Sequence, residues 1–174
     1  RAITARLNYL AADRVDIQYA VKEAARGMSS PTKAGWSLLG KIGRYLKGKP
    51  RLIIKFPWQV RQSLVTSYTD SDWAGCRRTA KSTSGGILTR GSHVIKSYSR
   101  QQKVIALSSA EAELYAMVAA SAGTLAIIAY ATDLGISLGG EVYADSGAAL
   151  GISQRIGIGN VRHLRTQGLW VQET

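Results

Sequence analysis

The chain has one cysteine, Cys76, in 174 residues, which excludes an internal disulfide framework and any cysteine-rich zinc site. A reducing, intracellular compartment fits that count. Acidic residues are also scarce: 11 stand against 23 lysines and arginines, for a formal net charge of +12. Long apolar runs are missing too. The longest, residues 116–131, is interrupted by Ser121, Gly123 and Thr124, so it reads as a buried helix too short and mixed to span a bilayer, and no membrane is expected. No Arg-rich or apolar leader precedes the first helical pattern, and the sequence has no internal repeat or low-complexity tract. Its first residue is Arg1 and not Met, so a fragment or processed product is expected.

What remains is the composition of a folded protein. A hydrophobic share of 45% with 18 glycines and a mean hydropathy of -0.05 suit one ordinary core, or one domain with a smaller attachment. The basic residues are spread along the length, which favours a polyanion such as nucleic acid as partner. A solvated basic surface would carry the same charge with no partner at all.

Apolar residues recur at helical spacing through residues 2–28, broken around residues 13–16, where Asp16 is a plausible N-cap. A third helix is expected after Thr32, with Trp36, Leu39, Ile42, Gly43 and Leu46 on its buried stripe. Residues 51–56 and 63–69 read as strands, and 84–89 and 94–99 as a hairpin around residues 90–93. A long helix should open near Ser108 or Ser109 and run to about Leu134. A short strand over 141–144, a helix over 146–152, a glycine-rich loop over 155–160 and a closing helix over 161–174 complete the pattern. Three antiparallel strands, a helix, a further strand and more helices make an α/β sandwich.

In a chain so poor in acids, carboxylates that follow apolar runs are the first candidates for chemistry. Asp70 ends an alternating strand, where an isolated aspartate would ordinarily cap a turn. Glu113 lies on the line of Ala106, Ala110, Met117 and Ala120, the helix side expected to pack on the sheet. A glutamate there is costly unless paired or bound to a metal. Glu111, about 200° away around the axis, reads as a first-turn acid serving the helix dipole. Asp145 lies between a strand and a helix, where N-capping is its ordinary role. Together these supports allow the three carboxylates to meet beneath one phosphate and hold hard cations such as magnesium.

These residues lie in blocks that carry a resemblance. Tyr-Thr-Asp-Ser-Asp-Trp-Ala-Gly at 68–75, Lys-Ser-Thr-Ser-Gly at 81–85, Ser-Arg-Gln-Gln-Lys at 99–103, Ala-Leu-Ser-Ser-Ala-Glu-Ala-Glu-Leu-Tyr at 106–115 and Val-Tyr-Ala-Asp at 142–145 resemble the ribonuclease H domain of copia-type retrotransposon polyproteins. Upstream, Asn-Tyr-Leu at 8–10, Asp-Ile-Gln-Tyr-Ala at 16–20, Met-Ser-Ser-Pro at 28–31 and Arg-Tyr-Leu-Lys-Gly at 44–48 resemble the segment that joins such a domain to a reverse transcriptase. The resemblance implies a helical connection segment over 1–60 and an RNase H-like domain, a mixed sheet with flanking helices, over 61–174. It also implies that Asp70, Glu113 and Asp145 bind Mg2+, or Mn2+, and hydrolyse the RNA strand of an RNA/DNA hybrid with two ions. Lys81, Ser82, Thr83, Arg100, Lys103, Arg162 and Arg165 become candidates for nucleic-acid contact, and His163 for a proton shuttle, against its ordinary reading as a surface or packing residue.

Two departures qualify the expectation. The family pattern continues into a last strand and a helix with a fourth acid, which this sequence does not contain. Arg165 also stands where the family often has an aspartate. The sheet edge left by that missing strand would need cover from an upstream reverse transcriptase domain or another protein chain. The competing reading is a domesticated, non-catalytic version kept as a nucleic-acid-binding or structural subunit. A DNA-processing enzyme of similar architecture, such as an integrase, is disfavoured by the block at 103–115.

Overall fold

The computed structural model describes residues 1–153. The closing helix and glycine-rich loop expected beyond them, with Arg162, His163 and Arg165, lie outside the described residues.

Helices α1 (Ala2–Leu10), α2 (Gln18–Arg26) and α3 (Lys33–Gly48) form the leading unit, with a 3-10 turn at Val15–Ile17 between the first two. Their apolar stripes meet in a small core of Ala11, Ile17, Val21, Ala24 and Ile42, flanked by Leu7, Leu38, Leu39 and Leu46. Thr32 caps α3 by accepting from the Gly35 amide at 3.1 Å. Trp36 departs from the expected stripe and is 68% exposed, because the shallow bundle gives that side of α3 nothing to pack against. Asp16 is not a cap either. Its carboxylate receives Arg14 Nε at 3.0 Å, Arg14 Nη2 at 2.8 Å and the Tyr45 hydroxyl at 2.8 Å, an exchange of one amide partner for charge-assisted ones. Arg14 also donates to the carbonyls of Lys49 and Pro50, so this cluster ties the end of α3 to the turn before α2.

Residues 51–56 do not form the expected strand. Ile53, Phe56 and Trp58 are 79%, 60% and 90% exposed, and alternation of apolar residues yields a strand only where a neighbour supplies a ladder and a cover. The segment is held by side chains instead. Gln59 Nε2 donates to the Arg90 carbonyl at 2.9 Å, and Gln59 Oε1 accepts from the Ser92 amide at 2.9 Å.

The sheet comprises β1 (Leu64–Asp72), β2 (Thr83–Arg90), β3 (His93–Gln101) and β4 (Gly139–Tyr143). Its order is β3-β2-β1-β4, with β1 antiparallel to β2, β2 antiparallel to β3, and β4 parallel to β1. This is the expected mixed, RNase H-like arrangement. Gly91 takes the left-handed backbone, φ +58°, that a two-residue hairpin turn requires.

Helix α4 (Ser109–Asp133) packs on one face of this sheet and α5 (Gly147–Ser153) follows β4. The β1 residues facing α4 are Val65, Ser67, Thr69 and Ser71, small side chains that let the helix approach closely. In the seam the Ser67 and Thr124 hydroxyls bond at 2.6 Å. At 25 residues α4 is long and apolar enough to cross a membrane by length and composition alone, so the expectation of a stretch too short to span is corrected. Burial of Ala112, Leu114, Ala116, Met117 and Ala120 identifies it as a core helix.

Candidate metal centre

The parallel register of β1 and β4 sets Tyr68 beside Tyr143, their rings stacked at 5.4 Å. Two residues further along each chain come Asp70 and Asp145. Asp70 shares a face of β1 with Tyr68, and Asp145 stands in the bend just past the end of β4, beside Asp70. Asp145 is not needed as a cap, because the Ser146 hydroxyl accepts from the Ala149 amide at 3.2 Å and starts α5.

Glu113 arrives from α4, whose start is fixed by its own sequence. Ser108 Oγ accepts from the Glu111 amide at 3.2 Å and Glu111 Oε2 accepts from the Leu107 amide at 2.7 Å, a close variant of the capping box. Glu111 is thereby committed to the helix start and Glu113 turns to the sheet. One oxygen from each of Asp70, Glu113 and Asp145 lies within 4.8 Å of the others. The resemblance had assigned the metal to these same three residues.

Glu113 is 7% exposed, whereas Asp70 and Asp145 open to solvent. Its Oε1 accepts the Ser71 amide at 3.0 Å and the Ser71 hydroxyl at 2.9 Å, while Oε2 is buried without a partner. Desolvation pushes the Glu113 carboxyl above its usual range, the Ser71 bonds oppose this, and the neighbouring Asp70 and Asp145 charges add to the rise. Among the described residues no lysine or arginine forms an ion pair with the three. An all-carboxylate set with one buried, unpartnered oxygen fits a hard divalent cation such as Mg2+ or Mn2+, which would offset both burial and mutual repulsion.

The expected nucleic-acid contacts separate into two groups. Lys81 Nζ donates to the Lys103 carbonyl at 2.7 Å, joining two exposed loops, and Arg100 is exposed with its guanidinium 5.3 Å from the Tyr98 ring. Ser82 and Thr83 are buried. Ser82 Oγ accepts from the Ala74 amide at 3.0 Å and Thr83 Oγ1 accepts from Lys22 Nζ at 2.8 Å, so both hydroxyls have partners within the fold. Cys76 is buried against the Arg26 guanidinium.

Sequence reasoning missed two residues that shape the centre. Ser71 continues the core-facing phase of β1, and a hydroxyl in that phase signals a buried partner. Gln102, 8% exposed, donates from Nε2 to Ser84 Oγ at 3.0 Å and the Ala112 carbonyl at 2.8 Å, locking β2 to α4 beside Glu113. Gln102 lies within the block at 99–103, but nothing in the sequence singled out its amide.

No family model matches the chain. It is 37% identical over 138 residues to the "Retrovirus-related Pol polyprotein from transposon RE2" of Arabidopsis thaliana, covering 79% of this chain and 9% of the relative. The "Retrovirus-related Pol polyprotein from transposon RE1" of the same plant is 38% identical over 138 residues, again 79% and 9%. The "Retrovirus-related Pol polyprotein from transposon TNT 1-94" of Nicotiana tabacum is 30% identical over 166 residues, 92% and 12%. The chain thus spans only about a tenth of the length of these curated relatives.

Proposed function

We propose that this chain, a homologue of one segment of retrovirus-related Pol polyproteins from transposons, is the ribonuclease H segment of such a polyprotein and hydrolyses the RNA strand of RNA/DNA hybrids. The observation that carries this reading is the convergence of Asp70, Glu113 and Asp145, with ligand oxygens within 4.8 Å of one another. Leading helices over 1–60 act as the connection to an upstream polymerase, and 61–174 as the RNase H-like unit.

Asp70, Glu113 and Asp145 hold the cations. When bound, a pair of magnesium ions supplies an activated water and neutralises charge on the leaving oxygen of an in-line displacement. The protein's own contribution is positioning. Ser71 fixes one oxygen of Glu113 and so aims the other into the centre, while the more exposed Asp70 and Asp145 face the side from which a phosphate enters. Lys81, Arg100 and Lys103 draw the polyanion toward this edge, and backbone shape with the 2′-hydroxyl separates a hybrid from duplex DNA. A hybrid labelled on either strand tests the substrate class: with Mg2+ the RNA strand is cut and the DNA strand spared. Cutting of both strands, or of duplex DNA alone, would replace this reading with a DNA nuclease.

A further inference from the structure

A cleft with a cavity volume of about 730 Å³ opens between the leading helices and the free edge of β3. Lys22 and Arg26 line it from α2, and Lys96 and Arg100 from β3, and none of the described residues that line it is acidic. On each element the two cations are four residues apart, which places them on one face of the helix and on one face of the strand. Glu23, beside the cleft, pairs with Lys22 and with Arg26 at 2.8 Å each. One acid against four cations leaves the cleft positive, and the Glu23 pairs hold the α2 cations in place. Lys22 is further fixed by its bond to Thr83 Oγ1.

Residues 95–101 of β3 all line the cleft, so it is roughly 20 Å long at about 3.3 Å per residue. That length accommodates several consecutive phosphates of one strand. Ser97 and Ser99 face α2, where Gln18 bonds the Ser97 carbonyl and hydroxyl, while Lys96 and Arg100, alternating with them, line the cleft from the other face of the β3 edge. The cleft also runs beside the carboxylates. Asp70 is in register with Gly85 and Gly85 with Ser99, a separation of two strand spacings, or about 10 Å.

We infer that this cleft is a binding site for a nucleic-acid backbone, with Lys22, Arg26, Lys96 and Arg100 as its phosphate contacts. The leading helices therefore form one wall of the substrate site as well as a connection. The inference rests on the proposed activity for the identity of the polyanion, but it is tested by binding alone.

Anisotropy of a fluorescein-labelled RNA/DNA hybrid is measured with the full 174-residue chain in EDTA, so that neither metal nor hydrolysis contributes. Lys96→Gln with Arg100→Gln changes two exposed side chains, leaves the circular dichroism unchanged, weakens binding about tenfold and lowers the slope of log affinity against log salt by about 2. Lys41→Gln with Arg44→Gln, two exposed cations on α3, has little effect. Unchanged affinity in the first pair, or an equal loss in both pairs, would overturn the site. A chain that binds through the cleft but cuts nothing would overturn the hydrolase reading and leave the cleft standing.

Discussion

Ser71 donates twice to one oxygen of Glu113, from its amide at 3.0 Å and from its hydroxyl at 2.9 Å. The effect is to divide a buried carboxylate into a fixed half and a functional half. Oε1 is spent on β1, and Oε2 is left buried without a hydrogen-bond partner, in a side chain that converges with Asp70 and Asp145. A single hydrogen bond would leave the carboxylate free to rotate about its last torsion. Two donors from one residue hold it.

Ser71→Ala keeps the amide bond and removes the hydroxyl. A hydrogen bond to a charged group contributes about 1.5–3 kcal/mol, so Mg2+ affinity measured by isothermal titration calorimetry is expected to fall about tenfold or more while the fold is retained. Unaltered affinity would show that the hydroxyl does not position Glu113.

The Glu113 carboxyl is held above its usual 4.5 chiefly by desolvation, and this fixes the sign of a pH effect in the metal-free protein. The folded state binds the proton more tightly than the unfolded state, so the stability it contributes is fully present below about 4.5 and is lost as pH rises through the folded value. In EDTA, at a pH above that folded value, Glu113→Gln is therefore expected to raise Tm. Mg2+ should raise the Tm of the parent chain and leave this variant unmoved, as differential scanning fluorimetry would show.

Asp16 gives the opposite dependence. Its hydrogen bonds from Arg14, with Tyr45 and the Arg14 charge in support, hold the carboxyl at about 2 against an ordinary 3.8. That contribution is present above about 3.8 and lost as the pH falls toward 2. Acid unfolding followed by circular dichroism should show a loss of stability in that window that Asp16→Asn lacks.

Gly86 lies beneath an aromatic ring. A Cβ built there would be 2.5 Å from the Tyr98 phenol, so Gly86→Val must displace Tyr98 from its place across β2. Overpacking of this kind costs about 1–3 kcal/mol, to be read as a lower urea midpoint. Gly135→Ala, at φ +74° with open space around it, tests the other requirement for glycine and should destabilise through backbone strain alone.

The mixed sheet and the long helix were legible because each rests on local rules, alternation that ends at Asp70 and a helix start expected near Ser108 or Ser109, whereas the three carboxylates joined into one set through their shared supports and the family blocks around them. What escaped the sequence depended on partners distant in the chain. Residues 51–56 carry strand composition, yet no strand among the described residues accepts them, and Gln59 fastens the segment to the hairpin turn. Asp16 looked like a cap, but the fold brought Arg14 and Tyr45 to it. Nothing local showed that the Ser82 and Thr83 hydroxyls meet the turn after Trp73 and the leading helix. The basic cleft was invisible for the same reason, since Lys22 and Lys96 meet only when α2 docks beside β3.

The most direct test of the account is the rate at which the chain cleaves a hybrid labelled on its RNA strand in Mg2+, compared with an Asp70→Asn variant of unchanged circular dichroism. The metal centre predicts RNA-strand cleavage that EDTA abolishes and that the variant reduces by at least a hundredfold, the loss of about 2.7 kcal/mol of transition-state stabilisation. Cleavage by the parent no faster than by the variant would contradict it.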